Sequence, residues 1–399
     1  MMKSIIVVPS YWRKGELEED DIIYDHPTDL INPEETISKT LESLKIVKGN
    51  FDILVIGAPT NPSIGNEMDE KIVSIIKLAN LSAQVFYFGH KNFQSLQKSL
   101  KNVFPKFSSL VSNRGYSNIR NLCILIPHLL DYEIAIFIDD DELITDKNYV
   151  IKATEFIGKT INKTLLGLVV GFYKNLDGSI YVDESNIPWW ELVWNKPKLM
   201  NEGFRIVEES ITRLADTPFA FGGNMIIHKH VWLKIPFDPL IRRGEDMDYL
   251  RNVKMFEFGV KLDRKLFIEH RPPKSKTPYL TRLHEDIYRF LYAQAKTKYF
   301  GLKSVDYLPY PGSFFINTQG KVLLTELLYF IYYSQKDLIQ IKSFEDLLDK
   351  LKELKPIYDK AIKFANENKN FYSNFQKQWK EMMKIVPKDI SHNLVTKMS

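Results

Sequence analysis

From residue 1 to about 273, short runs rich in β-branched and aromatic residues alternate with stretches whose apolar positions fall at helical spacing, and few architectures accept that alternation. The runs are Ser4 to Pro9, Asp52 to Gly57, Ala83 to Phe88, Ile134 to Asp139, Leu165 to Tyr173, Gly223 to His228 and Leu266 to His270. Each is short and largely apolar, as expected of strands covered on both faces. The segments Pro33 to Val47 and Glu70 to Leu78 supply amphipathic helices to cover them, with Asn32 as an N-cap and Pro33 at the first helical position. The fold class expected is α/β, a Rossmann-like mixed and mostly parallel sheet flanked by helices.

After Pro272 and Pro273 the pattern changes to long, lysine-rich helical stretches: Asp286 to Tyr299, Lys321 to Ser334 and Ser343 to Met383. Ser343 and Asp346 have the spacing of a capping box. Pro356 is expected to split the last stretch, because an interior proline removes a hydrogen bond and crowds the preceding turn. The division expected is a sheet domain over residues 1–275 and a helical C-terminal region over 276–399.

Charge and cysteine content narrow the partners. With 54 Lys+Arg against 50 Asp+Glu, the net charge of +4 is too small for a general nucleic-acid binder that relies on counterion release. One cysteine, Cys123, makes neither an internal disulfide nor a multi-thiolate zinc site, which favours a reducing compartment. The apolar start is shorter than a signal-peptide core, and Val322 to Tyr333 is interrupted by Thr325 and Glu326 and too short to span a bilayer. A cytoplasmic protein without a transmembrane segment is expected. Its C-terminal helices could pack on the sheet domain, join a second copy in a homodimer or rest on a membrane surface.

The most informative stretch is Ala135 to Ile144, a buried-strand signal running into Asp139, Asp140, Asp141 and Glu142. Gathered carboxylates repel, and a hard divalent cation, Mg²⁺ or Mn²⁺, is the usual physical reason to collect them. In open α/β sheets, ligands bind beyond the carboxyl ends of the strands, where this cluster would fall. Upstream, Gly115 to Asn121 offers Arg120 and Asn121 to a nucleotide or sugar, or Arg120 to the acidic loop itself. Downstream, Gly222 and Gly223 allow close backbone approach, and Asn224 can donate and accept hydrogen bonds to acceptor hydroxyls. Asp246 or Glu245, in Gly244-Glu245-Asp246, could act as a general base or could simply complement a helix N-terminus. His270, closing the last strand, could complete a metal shell. Trp189 and Trp190, in a tryptophan-rich segment, could line the acceptor site or anchor a long loop.

In this order, the pieces resemble the metal-dependent GT-A glycosyltransferases, most closely glycosyltransferase family 2, over roughly residues 4 to 273. The resemblance implies that Pro9, Ser10 and Tyr11 form the turn that receives the nucleotide base, and that Arg120 and Asn121 lie beside the donor. It further implies Asp139 as a ribose or metal contact and Asp140 as part of the nucleotide-sugar site. Asp141 becomes the principal metal ligand, and Asp246 the base of an inverting reaction. The chain departs from the pattern at Gly57 to Asn61, which carries no aspartate, and no Gln-x-x-Arg-Trp follows Asp246, which disfavours processive synthases. The expected activity is transfer of a sugar from a nucleoside diphosphate sugar to an acceptor hydroxyl. A small hydroxy acid, as in glucosylglycerate-type synthesis, and a glycan are the candidate acceptors. The alternatives are a retaining enzyme without a carboxylate base, a sugar-phosphate nucleotidyltransferase and a non-catalytic nucleotide-sugar-binding subunit.

Overall fold

The computed structural model describes residues 2–16, 21–22, 24–31, 36–185, 187–273, 279–316, 318–335, 343–386 and 394–398. The expected cap at Asn32 and Pro33 lies outside the described residues; the helix there is described over Thr36–Ser43. The chain divides into two compact units, Met1–Ile180 with Ser210–Lys276 and Asn374–Ser399, and Tyr181–Glu209 with Thr277–Ser373.

The first unit is built on a mixed sheet flanked by helices, the class that the alternating pattern called for. Ser4–Arg13 lies inside it, in parallel register with Asp52–Pro59 on one side and Ile134–Phe137 on the other. It is central because it can be: Ile6 and Val8 join one cluster with Val55 and Ile72, while Ile5 and Val7 are equally inaccessible. From Ser4–Arg13 the sheet runs outward through Asp52–Pro59 to Val85–Phe88, then to Thr396–Met398, an antiparallel edge strand that no sequence pattern marked. In the other direction, Met225–His228 enters antiparallel between Ile134–Phe137 and Thr164–Lys174.

The far edge positions the functional residues. Gly259–His270 runs parallel to Thr164–Lys174, and the two-residue strand Glu142–Leu143 pairs antiparallel with its end, His270 opposite Glu142. Residues far apart in sequence thereby share one corner. A helix from the C-terminal region, Phe371–Ile385, also contributes to this unit: Trp379 is fully buried and its indole N–H donates to the Trp232 carbonyl at 2.8 Å.

The second unit is helical. Tyr181–Glu209 belongs to it because Trp190 and Trp194 are core residues there. Trp194 packs on Phe290 and Phe314, with ring centroids 5.8 and 4.4 Å away, and Trp190 packs on Tyr279 and Tyr329. The capping box forms as expected, with Ser343 and Asp346 each accepting from the other's backbone N–H at 3.0 Å. Contrary to expectation, Pro356 does not end a helix; Phe344–Asn368 runs through it. The proline is exposed, while Tyr358, Ala361 and Ala365 after it are buried, so packing along one face outweighs the hydrogen bond lost on the other. No described helix is long and apolar enough to cross a membrane.

Trp379→Ala should empty a large core site and break the bond to Trp232. We expect a stability loss of about 3–5 kcal/mol by urea denaturation; a change under about 1 kcal/mol would show that Phe371–Ile385 is dispensable to the unit.

Candidate functional site

The turn after Ile134–Phe137 distributes its four acids in four directions. Asp140 points inward, accepting from the Ser10 hydroxyl at 2.6 Å, while Ser10 accepts from the Trp12 indole at 2.8 Å and Thr40 donates to the Asp140 carbonyl at 2.9 Å. Burial, reinforced by Asp141, pushes the Asp140 carboxyl well above the usual carboxylate range. Asp140 and Ser10, both expected near a nucleotide sugar, clamp the turn to the first strand with their side chains. Pro9 lies within that strand, in register with Ile56. Tyr11 is also enclosed, in a trio with Tyr24 and Tyr116 whose ring centroids lie 4.6 to 5.0 Å apart.

Asp139 is held by Arg120 through two contacts, Nη1 to Oδ1 at 2.8 Å and Nη2 to Oδ2 at 3.0 Å. The same guanidinium reaches Glu245 through Nε at 3.2 Å. Burial by itself would lower the Arg120 pKa, but Asp139, Tyr11 and Glu245 together raise it well above its ordinary value. The buried cation thus links the acidic turn to the start of Glu245–Met255. Asn121, expected beside the donor, lies deep in the interior: its amide donates to the Phe237 carbonyl at 2.9 Å and accepts from the Phe237 N–H at 2.8 Å.

The glycine pair has a different use from the acceptor contact expected. A Cβ on Gly222 would fall 2.5 Å from Arg120 Nη2, and one on Gly223 would fall 2.0 Å from Glu142 Oε2. The bare backbone makes room for the two charged side chains. Asn224 is fully buried, its amide donating to the Phe172 carbonyl at 2.9 Å and accepting from the Tyr149 hydroxyl at 2.7 Å, so it too is tied to the fold rather than to an acceptor. Asp246 is half-buried near the helix start. Its Oδ2 accepts from the Gly222 N–H at 3.1 Å and its Oδ1 from the Met247 N–H at 2.7 Å.

Asp141, Glu142 and His270 come together, each offering a donor atom within 4.8 Å of the others. His270 Nε2 lies 3.7 Å from Asp141 Oδ2, and its ring stacks on Tyr173 at 4.6 Å. The Arg271 N–H donates to the Asp141 carbonyl at 2.9 Å, fixing the turn to the strand end. Burial would raise the Asp141 pKa, but His270 and His26 outweigh it and hold the carboxyl below its usual range. Glu142 goes the other way, pushed well up by burial and then by Asp139 and Asp141, although the Tyr173 hydroxyl and the Asp139 N–H favour its charged form.

Sequence reasoning gave Glu142 no separate role and missed Tyr173 and His26. Glu142 was visible as the fourth acid of the run; its proximity to His270 depends on a strand pairing that local pattern does not encode. Trp190 is a core residue of the helical unit, 4% exposed, the anchoring one of its two expected roles, while Trp189 is 43% exposed beside Tyr332.

No family model matches the chain, and no curated protein matches it by sequence. Among solved structures, it is similar to a mannosyltransferase of Pyrobaculum calidifontis in complex with GDP-mannose and Mn²⁺, at 10% identity and a TM-score of 0.47 over 96% of this chain and 88% of that one. It is also similar to glucosyl-3-phosphoglycerate synthase of Mycobacterium tuberculosis in complex with phosphoglyceric acid, at 13% identity and a TM-score of 0.39 over 75% of this chain and 81% of that one. Neither likeness assigns a substrate or a residue role to this chain.

The carboxyls of Asp140 and Glu142 titrate higher in the folded chain than the ordinary value of about 4 in the unfolded chain. Above that value the folded state binds more protons at these two carboxyls, so their contribution to metal-free stability should fall as pH rises until the raised values are passed, while His26 and His228, whose pKa values are lowered by burial, contribute with the opposite sign. Comparing urea midpoints in chelator at pH 5 and pH 8, Glu142→Gln should gain stability relative to the wild type as pH rises. An identical pH slope in that variant would remove Glu142 as a source.

Proposed function

We propose that the protein is a divalent-metal-dependent glycosyltransferase, moving a sugar from a nucleoside diphosphate sugar to a hydroxyl. The observation that carries this reading is the meeting of Asp141, Glu142 and His270 at the edge of the sheet. Two carboxylates and an imidazole suit Mg²⁺ or Mn²⁺. The fit also rests on charge: burial and the neighbouring carboxylates of Asp139 and Asp141 disfavour ionised Glu142, a penalty that a cation would relieve. When bound, such an ion supplies Lewis-acid stabilisation to a departing diphosphate.

The chain's own residues do the rest. Arg120 holds Asp139 and Glu245 in fixed orientation, so that the turn keeps its shape while charge changes beside it. Asp246, oriented by the Gly222 and Met247 N–H groups, is the candidate base. As the bond between the anomeric carbon and the diphosphate oxygen breaks and a bond to the acceptor oxygen forms, Asp246 takes the acceptor's hydroxyl proton. Glycerate-like hydroxy acids are the first acceptors to test.

Nucleoside diphosphate release from UDP- and GDP-sugars, followed with Mn²⁺ and an acceptor panel, tests the reading. We expect release by the wild type and background levels for Asp141→Ala. If no common nucleotide sugar is turned over, the reading fails. Asp246→Asn should lower turnover at least about a hundredfold while retaining nucleotide binding; a minor loss would point to a retaining mechanism or another base.

A further inference from the structure

We propose that His26 is a phosphate contact of this site, its imidazole hydrogen-bonding an oxygen of the diphosphate. The inference rests on the glycosyltransferase reading and adds a residue that no motif marked.

The backbone around His26 is pinned on both sides. Before it, the Asp25 N–H donates to the Tyr116 hydroxyl at 2.6 Å, and the Asp25 carboxylate pairs with Arg243 Nε at 3.1 Å. After it, buried Thr28 pairs in parallel register with Trp12 at the end of the central strand, and its hydroxyl lies 3.2 Å from that of Thr36. The ring is therefore carried on fixed chain two residues before the segment that pairs with the end of the first strand.

Its surroundings are those of the acidic corner. The ring interacts electrostatically with Asp141, Asp25, His270 and Arg243, yet Nδ1 is buried and makes no hydrogen bond to any described residue. A buried ring nitrogen without a partner is destabilising, a penalty that a ligand's oxygen would relieve by accepting from its N–H. His26 interacts with Asp141 and His270 of the close group without being a member of it, so its free nitrogen is available to an anion rather than to the ion itself. The guanidiniums nearby already serve carboxylates: Arg120 serves Asp139 and Glu245, Arg243 serves Asp25 and Arg271 serves Glu269. An imidazole N–H adds a donor to phosphate without asking any of them to serve a further anion.

The test is calorimetric binding of UDP and of GDP, each with saturating Mn²⁺, to wild type and to His26→Ala, His26→Asn and His26→Gln, with Mn²⁺ alone titrated in parallel. His26→Ala should weaken the diphosphates about ten- to a hundredfold, the worth of a hydrogen bond to a charged group, and leave the affinity for Mn²⁺ alone unchanged. Asn places an amide near the position of Nδ1 and Gln near that of Nε2, so recovery in one of them supports the contact and identifies the nitrogen. Wild-type affinity in His26→Ala overturns the proposal, and so does failure of both Asn and Gln to recover binding, which would make the ring structural. If the wild type binds neither UDP nor GDP, the glycosyltransferase reading itself falls; binding by the wild type with no effect of His26→Ala removes His26 alone.

Discussion

The buried guanidinium of Arg120 governs how the acidic turn is arranged. A cation removed from water is stable only where carboxylates surround it, and Arg120 has Asp139 on one side and Glu245 on the other. The pairing joins the turn after Ile134–Phe137 to the start of Glu245–Met255, two elements about a hundred residues apart in the sequence. It also neutralises Asp139 and leaves Asp141 and Glu142 as the acids that meet His270. The glycines at 222 and 223 follow from the same requirement, because a methyl group at either position would collide with Arg120 or Glu142.

The four consecutive acids are thus divided by environment. Asp140 turns inward onto Ser10, Asp139 is matched by arginine, Asp141 has its ionised form favoured by His270 and His26, and Glu142 has its neutral form favoured by burial. Neighbouring carboxyls whose environments push their titration apart can do different chemical work. A turn that spends one acid on folding and one on an ion pair still keeps two for a cation.

Some of this was legible in the sequence because it is local. Strand runs such as Ile134 to Asp139, the run of acids and the glycine pair are all short-range patterns, and so is the capping box at Ser343. Other expectations failed because side-chain direction is set by packing. Asn121 and Asn224 have the right chemistry for a ligand, but Phe237 in one case and Tyr149 with Phe172 in the other take up their amides in the interior. Pro356 reads as a helix break, and the buried face of Phe344–Asn368 overrides it. Trp190 reads equally as a ligand platform or a loop anchor, and packing buries it in the helical unit.

By itself the sequence determined the layered α/β class, the presence of a charged corner at a strand end and the residue types that crowd it, since periodicity and composition are properties of neighbouring positions. Only the tertiary structure decided which acids gather with His270, that His270 lies opposite Glu142, and that His26 interacts with the same corner. Those outcomes depend on strand pairing and on competition for a few buried donors, and neither is written within any one stretch of chain.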